Sequence, residues 1–198
     1  QKAQKMAERA VVMEVLIDNK LKPHSCNGSD RVPVDVSFEE MIFCGMEEAV
    51  CQIARHLHGV LDRDALNSAF NALVDRHETL RTVFCVKETS VIRRYVAADW
   101  FDVASVIPPS SADHSQLVRD YLKNDREDII KFNTPLFRVT LLQCTEAHHI
   151  LLISAHHIIF DGWSYDVMVN DLTQLYNTTV AQQSSQLKPL SFQFSEYV

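Results

Sequence analysis

The residues best suited to chemistry lie in one stretch, SAHHIIFDGWS, where His156 and His157 close an apolar run and Asp161 and Gly162 follow. Successive side chains of a strand point to opposite faces. If the strand through ILLIS continues into the pair, one ring enters the packing, held by hydrogen bonds, and the other faces a cavity. That division argues against chelation by both rings. No third ligand of the usual spacing stands nearby, so no metal is expected. A single imidazole at a strand end suits general-base work, because it titrates near neutral pH. Asp161 falls where strand gives way to loop. A buried carboxylate there needs a cationic or hydrogen-bonding partner, so an arginine is expected beside it. Gly162 permits a tight turn into the next helix. A histidine at a strand end is more often a satisfied core or surface residue, so residue type alone leaves catalysis and packing both open.

The elements that must position these residues are readable from periodicity. Residues 1–19 have Met6, Ala10, Met13 and Ile17 at helical spacing, which predicts a helix. The polar, turn-rich stretch after it reads as a connector. SFEEMIFCGM predicts a short helix with Ser37 as cap and Glu40 as its capping-box partner. Residues 49–58 alternate as a strand, with Val50, Gln52, Ala54, His56 and His58 on one face and Cys51, Ile53, Arg55 and Leu57 on the other. A helix follows through Leu66, Ala69, Phe70 and Leu73, with Asp62 near its start. Next comes a strand pair turning near Glu88–Ser90, then a Pro108-Pro109 break. A helix over 114–124 carries Leu117, Val118, Tyr121 and Leu122. PLFRVTLLQC and ILLISAHHII predict a hairpin, and residues 163–177 return to helical spacing through Val167, Leu172, Leu175 and Tyr176. Helices interleaved with strands give an α/β or α+β class, a mixed sheet covered by helices in a two-layer sandwich.

Composition bounds the partners. The chain has 198 residues, 46% hydrophobic and 23% charged, with a net charge of −7 and no Lys/Arg cluster. That balance speaks against nucleic acid and anionic membrane as partners. Cys26, Cys44, Cys51, Cys85 and Cys144 are scattered and odd in number, which predicts free thiols in a reducing compartment. No signal peptide or membrane-length apolar run is visible, so the cytoplasm is the default location.

HHIIFDGWS resembles the HHxxxDG signature of the condensation domains of nonribosomal peptide synthetases, within the chloramphenicol-acetyltransferase-like superfamily. RHETLRTVF, residues 76–84, is similar to that family's RHExLRTxF motif at every specified position. The hairpin, the HH strand and the helix SYDVMVNDLTQLY come in the family's order, and PLSFQFSEYV resembles the segment that leads to its second lobe. The similarity covers about residues 33–198. It implies a chloramphenicol-acetyltransferase-like lobe, the N-terminal one, with the C-terminal lobe absent and residues 1–32 as an N-terminal helix and a linker or docking segment.

The resemblance further implies that an amine acceptor attacks a thioester donor. Both would arrive on the phosphopantetheine of peptidyl or acyl carrier proteins, with no cofactor bound by this lobe. The second lobe and neighbouring synthetase modules are implied partners. His157 would be general base or positioner of the nucleophile, and His156 and Asp161 would be supports. Gly162 would shape the loop or leave room near the thioester. Asp161 is expected to pair with Arg76 or Arg81. Trp163 and Ser164 also match the family, with Trp163 expected as packing. His24, His56, His58, His114, His148 and His149 have no motif and read as surface or structural. The family's first motif, SxAQxRLWxL, is barely visible: Ser37 remains and Glu40 stands where glutamine is expected. A divergent or chain-starting domain fits that departure. Two other functions stay open. One is a standalone acyltransferase of the same superfamily, passing an acyl group from coenzyme A or a carrier-protein thioester to an alcohol or amine, for which a trimer like that of chloramphenicol acetyltransferase is conceivable. The other is a non-enzymatic lobe that docks carrier proteins. An isolated lobe is expected to form no amide.

Overall fold

The computed structural model describes residues 12–17, 34–35, 50–87, 90–96, 101–128 and 134–196, with side chains described for 50–84, 93, 95–96, 101–127 and 134–196. The strands are β1 (Val12–Ile17), β2 (Val34–Asp35), β3 (Val50–His58), β4 (Thr82–Lys87), β5 (Ser90–Tyr95), β6 (Ala104–Val106), β7 (Phe137–Thr145) and β8 (His148–His156). The helices are α1 (Arg63–Arg76), α2 (His114–Asp128) and α3 (Gly162–Val180). Short 3-10 turns occupy Glu78–Arg81 and Phe194–Glu196. The main sheet runs β1-β3-β8-β7-β6 and a smaller one runs β2-β5-β4. All pairings are antiparallel except β6 with β7, so the main sheet is mixed. The class is α+β, a mixed sheet with helices packed against it.

β8 is the central strand. It is hydrogen-bonded on both edges and buried along almost its whole length. That explains why ILLISA reads as a continuous apolar run rather than an alternating one. The two faces are covered differently. On one, α1 and α3 pack Leu66, Phe70, Leu73, Met168 and Leu172 against Leu57, Phe137, Leu151 and Ile153. Phe70, Phe101 and Phe137 form a tilted and stacked ring cluster there, with centroids 5.6–6.4 Å apart. On the other face, α2 sets Leu117, Val118, Tyr121 and Leu122 over Ala54, Leu142, Ile150 and Leu152. The expected sheet-and-helix layering holds on the first face, and α2 adds a third layer on the second.

Local chemistry sets the element ends. Asp62 caps α1 by accepting from the Ala65 amide at 3.0 Å. α2 runs past the predicted 124 because its polar last turn is engaged. Asp125 accepts from Ser154 Oγ at 3.1 Å, and Arg126 donates to Gln52 Oε1 at 3.1 Å. Gly59 adopts φ 113°, which favours glycine, and its amide reaches Ala147 O in the β7–β8 turn at 2.9 Å.

One element differs in kind. Residues 12–17 form a strand on the β3 edge rather than part of a helix. Short apolar runs fit both periods. Val12, Val15 and Ile17 are β-branched and favour a pleated surface, and the exposed ladder of β3 supplies hydrogen bonds an isolated helix would lack. The rest of residues 1–19 and the expected helix at 37–46 lie outside the described residues. Val34–Asp35, at the end of the predicted connector, pairs with β5. Val167 is exposed, and Met168 takes its place in the buried stripe of α3.

Candidate active site

β8 delivers the two histidines to opposite environments. His156 is its last residue and 0% exposed. Its amide donates to Leu136 O at 2.9 Å, and its Nδ1 accepts from the Ile158 amide at 3.1 Å. An accepting Nδ1 puts the proton of the neutral ring on Nε2. Burial, reinforced by the His157 charge, pushes the His156 pKa down to about 4. It is therefore neutral near pH 7 and holds the turn that follows. Ile158, Ile159 and Phe160 are buried beyond it, and they anchor the turn in the α1/α3 core.

His157 sits in that turn, half-buried. Its Nε2 and Nδ1 lie 3.3 and 3.5 Å from Cys51 Sγ on β3. Burial, with the Asp161 charge second, raises the Cys51 pKa to about 11. The thiol stays protonated near neutral pH, so the pair is not the activated nucleophile that a thiolate beside an imidazolium would make. Cys51 is instead a neutral group that contacts and orients the ring. The sequence reading missed it because its link to His157 depends on the β3–β8 register, which sets Cys51 opposite Ala155.

Asp161 does not pair with Arg76 or Arg81, and it is exposed. It caps α3, its Oδ1 accepting from both the amide and the hydroxyl of Ser164 at 2.7 Å. Partial burial alone would raise its pKa. The Ser164 hydrogen bonds, the His157 charge and the Trp163 amide outweigh it and leave the value below normal. The expectation of an arginine presumed a buried carboxylate, whereas the helix start already satisfies this one. Ser164 is thus half of the cap. Gly162 is the first residue of α3, has no positive φ, and would place a Cβ in open space. It leaves room beside the loop rather than permitting an unusual turn. Trp163 is 80% exposed and not packed.

The two arginines serve the scaffold. Arg76 Nε and His77 Nε2 each lie 2.9 Å from Asp171 Oδ2, joining the end of α1 to α3. Glu78 Oε1 accepts from the Ser195 amide at 2.7 Å, and Gln193 Nε2 donates to Arg76 O at 2.9 Å. Arg81 donates to Val96 O at 3.3 Å. RHETLRT therefore ties α1, α3 and the C-terminal segment together. The guanidinium that steadies the start of α3 is Arg55 on β3. Its Nε donates to Tyr165 Oη at 2.6 Å, its Nη2 reaches the same oxygen, and it lies 4.9 Å from the ring centroid.

Among the described residues, no helix is long and apolar enough to cross a membrane. The Condensation domain family model matches residues 42–198. Nonribosomal peptide synthetase dtxS1 of Metarhizium robertsii is 33% identical over 81% of this chain, and surfactin synthase subunit 1 of Bacillus subtilis is 33% identical over 71%. The aligned part is 2% and 4% of those proteins' own length. Among solved structures, the X-domain from teicoplanin biosynthesis aligns with 88% of the chain at TM-score 0.71 and 25% identity. The epimerization domain from the third module of tyrocidine synthetase B aligns with 89% at TM-score 0.72 and 17% identity, a likeness of fold. The chain spans 39% and 40% of those two structures. With the HH turn, the scaffold motif and the family match in agreement, the chain belongs to the condensation-domain family of the nonribosomal peptide synthetases.

Proposed function

We propose that residues 33–198 are the N-terminal lobe of a condensation domain that forms an amide between a carrier-bound thioester donor and an amine acceptor. The observation that carries this reading is the separation of the two histidines. His156 is buried and locked, and His157 is partly exposed on an anchored turn beside a protonated thiol. In the reaction the amine nitrogen attacks the donor carbonyl, a C–N bond forms, and the C–S bond breaks. His157 accepts or guides the proton leaving nitrogen, which passes to the departing phosphopantetheine sulfur. Alignment of the two tethered reactants supplies much of the acceleration. The lobe binds no cofactor of its own. Its partners are carrier proteins, the C-terminal lobe and neighbouring modules, in the cytoplasm.

The test is His157→Ala in a two-lobed condensation domain containing this chain, assayed with donor and acceptor loaded on carriers. Amide formation should fall by about 100-fold or more. An unchanged rate would remove His157 from the chemistry. The 198-residue chain alone should form no amide from the same substrates, because the second lobe supplies the other wall of the tunnel. Turnover comparable to the two-lobed domain would overturn that.

A further inference from the structure

At the far end of the central strands, three imidazoles meet on the α2 face. His56 and His58 lie on one side of β3, and His148 is the cross-strand partner of His58. His148 stacks between the other two, with centroids 5.0 Å from each and planes within 8°. His56 Nδ1 is 2.7 Å from His148 Nε2, and one ring nitrogen from each of the three lies within 4.8 Å of the others. The bond between Gly59 N and Ala147 O clamps the strand end to the hairpin turn and fixes this register.

We propose that His56, His58 and His148 form a binding site for a divalent first-row transition ion such as Zn²⁺. A tetrahedral ion with Zn–N bonds of about 2.0–2.1 Å spaces its ligand nitrogens roughly 3.3 Å apart. The 2.7 Å between His56 and His148 and the 4.8 Å within which all three nitrogens fall bracket that value, so binding calls for rotation of the stacked rings toward one point. Imidazole is a ligand that suits zinc, copper and nickel, and it must be neutral to bind. The ion takes the place of the hydrogen bond between His56 Nδ1 and His148 Nε2, the donating ring moving its proton to its other nitrogen, and three protein ligands leave a fourth position for water. The His114 ring, at the start of α2, lies with its centroid 6.3 Å from that of His148. The site is eight residues along β8 from His156, roughly 26 Å at 3.3 Å per residue, and on the opposite face from Cys51. It is therefore independent of the condensation chemistry.

The experiment is calorimetric titration of Zn²⁺ into the chelator-treated 198-residue chain, with Co²⁺ absorption as a reporter of ligand type. One equivalent should bind with a Kd of about 1 µM, and the Co²⁺ spectrum should lack a thiolate charge-transfer band. His58→Gln and His148→Gln should each weaken binding by more than about 100-fold while far-UV circular dichroism stays unchanged. His58 is exposed, so its replacement disturbs no core contact. Wild-type affinity no better than millimolar, retained affinity in the two variants, or a thiolate band placing the ion on a cysteine would each overturn the proposal. If His148→Gln alone fails to fold, His58→Gln and the Co²⁺ spectrum of the wild-type chain decide it.

Discussion

Cys51 Sγ lies within 3.3 Å of His157 Nε2, so the proposed reactive imidazole touches a thiol that burial keeps protonated. A neutral contact of this kind holds the ring in place without setting a thiolate beside it. Cys51→Ser should preserve the contact and hold condensation near the wild-type rate. Cys51→Ala frees the ring and should lower the rate about 2- to 10-fold, the worth of one modest hydrogen bond. Steady-state rates in a two-lobed domain check this. With its pKa near 11, Cys51 should also alkylate far more slowly at neutral pH than an unperturbed thiol. Fast modification by iodoacetamide would contradict the burial argument.

Asp161 acts through two bonds to Ser164 rather than through an arginine. Asparagine is as good a helix cap, so Asp161→Asn should leave stability nearly unchanged. Asp161→Ala should cost about 1 kcal/mol, read from denaturant midpoints. Should Asn prove as damaging as Ala, the charge toward His157 would matter more than the cap.

Trp163 shows where residue type misleads. A tryptophan suggests burial, but position 163 lies on the side of α3 away from Met168, Leu172 and Leu175, and the ring is exposed. Trp163→Ala should change the stability of this lobe by less than about 0.5 kcal/mol. Thermal unfolding of the 198-residue chain measures it.

What the sequence made legible follows the range of each interaction. The strand at 49–58, the helix through Phe70, the β7–β8 hairpin and the division between His156 and His157 rest on local periodicity, and they appear as expected. The same alternation put His56 and His58 on one face. Their meeting with His148 depends on the β3–β8 register, set by strand pairing across about ninety residues of chain. Asp171, Cys51 and Arg55 find their partners only through helix crossing and strand pairing, over about a hundred residues of chain. Spacing carries no signal at that range. The error at 12–17 is of another kind, since a short apolar run fits helix and strand alike.

Asp171 is the buried carboxylate that the arginine of RHETLRT serves, with His77 as a second donor. Asp171→Ala would strand Arg76 and His77 between α1 and α3, where both are largely covered. Removing one partner of a buried pair costs up to 3–5 kcal/mol, and partial exposure of Arg76 brings the expected loss to about 2 kcal/mol. Arg76→Lys keeps the charge but loses the fixed fork of donors and should cost less. Chemical denaturation of the three chains orders them. An Asp171→Ala chain as stable as wild type would show that the motif does not join the helices.

Acid should weaken this fold through His156 before its carboxylates are titrated. In the folded chain His156 takes up a proton only near pH 4, whereas the unfolded residue does so near 6.5. Between those values the unfolded state binds more protons, so stability falls as pH drops. The slope approaches 1.36 kcal/mol per pH unit, about 3 kcal/mol over the window. His148 and His149, also lowered, add in the same direction. Asp161, whose pKa lies below its usual 3.8, contributes stability that is lost only at still lower pH. His156→Asn retains a hydrogen-bonding group near the Nδ1 position and removes the titration, so its unfolding free energy should fall less steeply from roughly pH 7 to pH 5. An equally steep fall in that variant would assign the acid sensitivity to other groups and contradict the buried, neutral state of His156 on which the anchored turn depends.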